Sequence, residues 1–190
     1  MGDWEDRLFA LFDDLEQQAE AAFAAERDFE VADRAQAEYA QVGLATRLMA
    51  SLGQDVVLRL SGVGPVAGTL ERVADGWCLI AGDSGQWVVR LAAVQLASGV
   101  SPRSVPEAAW PVASRLGLRS ALRGISGDGV ECRLLTLDGA GYDVRLGRVG
   151  ADFVEGIVGD GREPTLFPFG AIAAVTQRRD GANHQSHQTL

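Results

Sequence analysis

Residues 58–78 read LRLSGVGPVAGTLERVADGWC. Apolar and polar residues alternate on both sides of a glycine-rich centre, a pattern typical of two short antiparallel strands joined by a turn. The glycines Gly62, Gly64 and Gly68 also lie close to the spacing of phosphate-binding loops. A dinucleotide-binding loop needs G-x-G-x-x-G followed by a helix, whereas here the third glycine comes one residue too late and a strand pattern follows it. We therefore predict a hairpin turn without a bound nucleotide.

The same pattern recurs 76 residues later, where residues 134–154 read LLTLDGAGYDVRLGRVGADFV. Asp138 and Val144 stand in place of the first and third glycines, so the shared feature of the two segments is the turn. The aligned pairs are Leu58 with Leu134, Leu70 with Leu146, Arg72 with Arg148, Val73 with Val149 and Trp77 with Phe153. Two extra residues in the next loop change the offset to 78, which aligns Val89, Leu91 and Val94 with Phe167, Phe169 and Ile172. The matches fall at positions of a buried type, and they predict two copies of one set of strands.

The region before the first copy has the composition of helices. Residues 3–52 contain no proline and a single glycine, and they are rich in Ala, Glu, Gln, Arg and Leu. The spacing of apolar residues predicts an amphipathic surface for self-association or for docking a partner, formed by Trp4, Leu8, Leu11 and Leu15. The sequence leaves open whether this region is one long helix or a helical hairpin.

Together these patterns predict an α+β fold with a long N-terminal helical segment followed by two small β-barrels joined by a short helix. The expected boundaries are 1–53 for the helical segment, 54–100 for the first barrel, 101–119 for the linker helix, 120–178 for the second barrel and 179–190 for a disordered tail. The tail contains both histidines of the chain, His184 and His187.

Charge is concentrated near the N-terminus. Residues 1–53 hold 12 acids and 4 arginines, a net charge of −8, while the whole chain of 190 residues carries −9. Such a surface repels nucleic acid and favours basic protein partners. No apolar run approaches the roughly 18 residues of a membrane span, and the first residues are acidic where a signal peptide would be basic. We therefore expect a cytoplasmic protein with no membrane contact, in which Cys78 and Cys132 are buried thiols.

One basic cluster interrupts this acidic character. Residues 103–123 carry four arginines against Glu107 alone, and three of the arginines recur at every fourth position: Arg115, Arg119 and Arg123. On a helix these three would share one face. They would contact either nucleic-acid phosphates, weakly, or the acidic N-terminal segment.

Reactive chemistry is not predicted. The GDSG sequence at residues 82–85 matches the nucleophile motif of one protease class, but that chemistry requires a histidine base. The only histidines lie in the polar C-terminal tail. We predict no catalytic, cofactor-binding or metal-binding residues and therefore no enzyme.

The order of a helix and about five short strands is similar to that of Sm-like and SH3-like small barrels. The similarity covers residues 44–100 and 118–178, with closing strands VVRLAAV and FPFGAI. Sm proteins that bind RNA carry a basic Arg-Gly or Lys-His element in a late loop. Neither GDSGQW nor GDGREP supplies such an element, so the resemblance implies the fold without ring-type RNA binding.

Over the whole chain, the segments DWEDRLFALFDDLEQQAE, ASLGQDV, WVVRLAAV and GRVGADFVE resemble a protein family of high-GC Gram-positive (actinobacterial) bacteria. Its members often carry the name of Fis-type transcriptional regulators. A Fis-type protein ends in a basic helix-turn-helix, which is not visible in this sequence. The sequence therefore favours a non-enzymatic interaction or adaptor protein, with a nucleic-acid-associated regulator using the basic cluster as the alternative.

Overall fold

The computed structural model describes residues 15–18, 20, 23, 27 and 33–178. The chain divides into two compact units, Met1–Val42 and Gly43–Leu190. In the first unit, residues 15–18 and 33–39 are helical. The second unit contains every strand described below.

Five strands form the first strand set, which we define as residues 55–98. Helix α1 (Leu44–Met49) precedes them, and a 3₁₀ turn at Leu91–Ala93 separates the last two. Side chains along the first strand alternate strictly between exposed and buried, as the sequence DVVLRL predicts. The strands are β1 (Asp55–Leu60), β2 (Gly64–Ala74), β3 (Trp77–Gly82), β4 (Gly85–Arg90) and β5 (Val94–Ser98).

Five more strands form the second strand set, residues 131–178, which follows helix α2 (Leu118–Gly127). A 3₁₀ turn at Phe169–Ala171 again separates the last two strands. The strands are β6 (Glu131–Thr136), β7 (Gly141–Val149), β8 (Phe153–Val158), β9 (Thr165–Pro168) and β10 (Ile172–Arg178).

The strands within each set pair in the same register when the two sets are aligned at offsets of 76 and 78 residues. Leu58 faces Val66 as Leu134 faces Tyr142, Leu70 faces Ile80 as Leu146 faces Gly156, and Leu60 faces Val94 as Thr136 faces Ile172. The irregularities after Leu70 and Leu146 also coincide. The common pairing means that a position in one set has a structural counterpart in the other.

The expected fold class is wrong. The ten strands form one antiparallel sheet in the order β5-β1-β2-β3-β4-β10-β6-β7-β8-β9, so the second unit is mainly β and its helices are short. No long helix occurs among the described residues of the N-terminal region. The sheet does not stop between the two sets because β4 and β10 are hydrogen-bonded neighbours. The helix-forming composition of residues 3–52 had predicted a long helical segment, but helix propensity alone does not establish one.

The β4–β10 ladder, which we call the seam, joins the two strand sets. Its central pairs are Val89 with Ala174 and Val88 with Val175. All four side chains are buried. Ala174 also belongs to the core of the first set, while Val175 belongs to that of the second. Strand β10 therefore contributes to both cores.

Each strand set has a core closed by the helix that precedes it. Leu48 of α1 is fully buried among Leu58, Leu70 and Ile80. Leu122 of α2 is fully buried in the second core with Leu134 and others. Because a buried leucine contributes about 2–5 kcal/mol relative to alanine, both short helices are required parts of the sheet unit.

Helix α2 also packs across the seam. Its residues Leu118, Ala121 and Ile125 lie against a small buried cluster of the first set, formed by Ala74, Trp77 and Val88. The Trp77 indole N–H donates to the Leu116 carbonyl oxygen at 2.8 Å, just before the helix. Helix α2 therefore fastens the two strand sets together. Within residues 101–119, the range expected for the linker helix, the structure has two short 3₁₀ turns and only the first two residues of α2.

Candidate interaction surface

The glycine-rich turn is a contact between the two strand sets. Gly62 has a φ of 71°, and a Cβ there would lie 2.5 Å from the Gly139 nitrogen and from the Leu137 carbonyl oxygen. Only a residue without a side chain permits this approach of the two turns. A strand follows the turn instead of a helix, so the predicted hairpin is confirmed.

Strands β5 and β9 are the two ends of the ten-strand order. Each pairs on one side only among the described residues, β5 with β1 and β9 with β8. Each also carries a leucine in open solvent: Leu96 on β5 is 62% exposed and Leu166 on β9 is 56% exposed. A strand edge with unpaired backbone groups and apolar side chains is a template for another strand.

A cavity of about 430 Å³ opens beside the β9 edge. Its apolar wall includes Tyr142, Leu166 and Phe167, and the rings of Tyr142 and Phe167 meet edge to face at 5.3 Å. Thr136 and Asp138 form its polar rim. The cavity therefore provides an apolar pocket next to the outer backbone edge of β9, which no described strand pairs with.

The polar rim is fixed by the second turn. The Thr136 hydroxyl and the Ala140 N–H both donate to the Asp138 carboxylate. These hydrogen bonds, of which the one from Thr136 has the largest effect, lower the pKa of Asp138 below its ordinary value. The carboxylate is thus an anionic turn cap at neutral pH, facing solvent.

A second cavity, of about 490 Å³, lies between α1, the end of β2 and the 3₁₀ turns that follow β5. Two acids and one arginine line it, namely Asp75, Glu107 and Arg115. Trp110 closes one wall and donates its indole N–H to the Val105 carbonyl oxygen at 2.9 Å. This hydrogen bond and the burial of Trp110 make the wall part of the core packing.

The predicted N-terminal surface is described at one position only. Trp4, Leu8 and Leu11 lie outside the described residues. Leu15 is helical and 50% exposed. That segment remains a prediction.

The three predicted arginines are all exposed, but they do not share one helix. Arg115 ends the 3₁₀ turn Val112–Arg115, and only Arg119 and Arg123 belong to α2, one turn apart. Arg119 and Arg123 lie on the solvent side of α2, because Leu122 and Ile125 face the cores. Two ion pairs of the described region, Arg133–Asp143 and Arg148–Glu155, form elsewhere on the sheet.

Both cysteines are free and buried, as predicted. Burial raises the pKa of the Cys78 thiol to about 12. Burial, followed by the negative charge of Glu131, raises that of Cys132 to about 11. A thiolate is the reactive form of cysteine, so both side chains are inert packing residues at neutral pH.

Comparison with known proteins adds no relative: no protein-family model matches the chain, and no curated protein matches its sequence. Within the described residues, no three metal-binding side chains of the His, Cys, Asp or Glu type come together. In the same part of the chain, no helix is both long enough and apolar enough to cross a membrane. The tail histidines, His184 and His187, lie outside the described residues.

Sequence reasoning missed the open edges. The offset of 78 residues already aligned Val89 with Phe167, and one position earlier it aligns Val88 with Leu166. What the sequence did not reveal is that β10 covers β4, while no described strand covers the outer side of β9. That difference depends on strand order, which hydrophobic periodicity does not specify.

Proposed function

We propose that this chain is a non-enzymatic interaction or adaptor protein, and that the open edge at β9 docks a protein partner. The observation that carries the proposal is the coincidence of a strand that pairs on one side only among the described residues, the exposed Leu166 and the adjoining apolar cavity. An extended peptide that adds to a sheet edge gains main-chain hydrogen bonds, while a neighbouring pocket provides side-chain specificity.

The chemistry of the edge favours protein over a small molecule or nucleic acid. The cavity beside β9 is walled by apolar and aromatic groups, and its charged group, Asp138, is anionic. Phosphate groups would be repelled there. An apolar side chain on a partner strand fits both the wall and the exposed leucine.

The N-terminal segment is the second surface of the proposed adaptor. Its net charge of −8 and its apolar stripe at Trp4, Leu8, Leu11 and Leu15 favour self-association or docking of a basic partner. In this proposal the protein acts in the cytoplasm and joins partners held by its two units.

The alternative function is that of a nucleic-acid-associated regulator. One observation favours it: Arg119 and Arg123 stand side by side on the solvent face of α2, with Arg115 in the preceding turn. Three arginines neutralise few phosphates, and the chain carries a net −9. The expected binding is therefore weak and depends strongly on salt.

Site-specific photo-crosslinking of the full chain in its native cells tests the docking proposal. A photoreactive residue replaces Leu166 in one variant and Arg145 in a matched control. Arg145 is also exposed to solvent, but it lies on β7, which has strands on both sides. We expect a crosslinked protein from position 166 and none from position 145. Equal crosslinking at both positions, or none at 166, would overturn the proposal.

A further inference from the structure

We propose that the occupant of the β9 edge is the β5 edge of a second copy of this chain, paired head to tail in the register of the seam. The inference rests on the proposed function, since it names the partner of the same edge. It follows from the internal duplication: the chain already contains one joint of this kind, between β4 and β10, and exposes the two halves of another.

The exposed leucines are the structural counterparts of buried seam residues. Subtracting 78 residues maps Ala174 onto Leu96, and adding 78 maps Val88 onto Leu166. At the seam, both Ala174 and Val88 are buried. At the open edges, their counterparts are more than half exposed. The open edges therefore carry apolar residues at the seam positions, although no described strand covers them.

The helices that precede the two strand sets show the same difference between the seam and the open edge. Leu118 begins α2 and Leu44 begins α1, and each is followed four residues later by a fully buried leucine of its own core. At the seam, Leu118 packs against Trp77 and Val88 of the preceding strand set. Its counterpart Leu44 is 40% exposed. In the proposed joint, Leu44 of the second copy packs against Leu166 of the first.

The cavity beside β9 is explained by the same missing strand. At the seam, Ala174 pairs with Val89 and completes the core of the first set. The counterpart of Val89 is Phe167, which lines the open cavity. No described strand lies next to it on that side. Leu96 of a second copy would occupy this position, and a leucine fills more of the cavity than the alanine at the seam.

The seam register predicts the pairing of the joint. Its counterparts place Ala97 of one copy opposite Leu166 of the other, with Leu96 opposite Phe167 and Ser98 opposite Thr165. An interface that joins two different surfaces repeats from copy to copy, and it closes into a ring or continues as a filament according to its rotation.

Two features of the seam do not repeat, and they weaken the joint. Asp138 stands where Gly62 makes its close turn contact, so the turns cannot approach as closely. Pro168 replaces Arg90, whose Nη1 donates to the Gly170 carbonyl oxygen at 2.9 Å across the seam. The joint is therefore a reversible association that increases with protein concentration.

Mass measurements on the full-length chain test the inference. We expect the mass of the wild type to rise across the micromolar range in sedimentation or light scattering. Leu96→Arg and Leu166→Arg should each remain monomeric, while the control Val130→Arg, an exposed residue beside the interior strand β6, should behave as the wild type. Thermal unfolding checks that each variant folds, and Leu96→Gln and Leu166→Gln replace any variant that does not.

Mixing the two arginine variants distinguishes a head-to-tail joint from a symmetric one. Leu96→Arg keeps β9 intact and Leu166→Arg keeps β5 intact, so the mixture should form a one-to-one dimer and nothing larger. Self-association by either variant alone would overturn the head-to-tail pairing. A wild type that stays monomeric at every concentration would overturn the inference altogether.

Disulfide trapping tests the register. Residues opposite each other in an antiparallel pair have Cα atoms about 4.5–5.5 Å apart, within disulfide range. Ala97→Cys with Leu166→Cys should give a ladder of oxidised oligomers, whereas Ala97→Cys with Val130→Cys should not. The buried native thiols, with their raised pKa values, do not interfere. A ladder in the control alone would refute the register.

Failure of this inference can be told apart from failure of the proposed function. A monomeric wild type that still crosslinks another protein from position 166 overturns self-pairing and leaves the docking function in place. Self-association that persists in both arginine variants assigns the contact to another surface, such as the N-terminal segment, and also overturns the inference. A monomer without any crosslink overturns both.

Discussion

Replacing Gly62 with alanine separates the two explanations of the glycine-rich turn. If the turn holds the two strand sets together, the substitution should lower the free energy of unfolding. If instead the turn were a phosphate site, the substitution would abolish nucleotide binding. We expect the first result and no saturable nucleotide binding by the wild type.

The magnitude follows from two separate costs. Gly62 has a φ of 71°, and an L-residue in this left-handed region costs about 1–2 kcal/mol. The added Cβ would also lie 2.5 Å from backbone atoms of Gly139 and Leu137, which cannot rotate away. Forcing an extra methyl group into such packing costs about 1–3 kcal/mol more.

Gly76→Ala is the matched control. Gly76 has nearly the same φ, 75°, but a Cβ there meets nothing within 4 Å. Both substitutions change the unfolded chain in the same way, so the difference between them isolates the contact between the turns.

Urea unfolding of both variants, with midpoint and slope measured, gives the comparison. Gly62→Ala should be less stable than Gly76→Ala by about 1–3 kcal/mol. Equal losses would refute the argument that the turn contact joins the strand sets.

Three further predictions concern the termini, the thiols and the basic cluster. Deleting residues 1–42 should leave the sheet unit folded. Deleting residues 1–52 also removes the fully buried Leu48, and should lower the free energy of urea unfolding by about 2–5 kcal/mol more. A thiol reagent at pH 8 should label neither cysteine until the chain unfolds. Because the unfolded thiols ionise near 9.0 and the folded ones only at about 11 to 12, stability should fall as the pH rises through that window, and replacing both cysteines with alanine should flatten the fall. Affinity for duplex DNA should be weak, with a logarithmic salt slope of about −3 that is lost when three residues become glutamate: Arg115, Arg119 and Arg123. Tight, sequence-selective binding at physiological salt would instead support the regulator.

The sequence alone determined the strands and their duplication. Apolar residues at every second position, Val56 and Leu58 in DVVLRL and Cys132 and Leu134 in ECRLLT, indicate the buried face, because successive side chains of a strand point to opposite faces. The turn residues Gly62 and Asp138–Gly139 mark the hairpins. Both cysteines could also be placed in the core, since they stand within apolar strand patterns. These signals are local, and each depends on a few neighbouring residues.

Only the tertiary structure decided how the two strand sets are joined and where the surface is left open. The pairing of β4 with β10 links residues more than 80 positions apart, and no local period encodes the choice of that partner. Leu166 on β9 is exposed, whereas the aligned apolar residue of β4, Val88, is buried. Burial at such positions depends on the neighbouring strand and helix, so the exposed edges follow from strand order and not from the residues themselves.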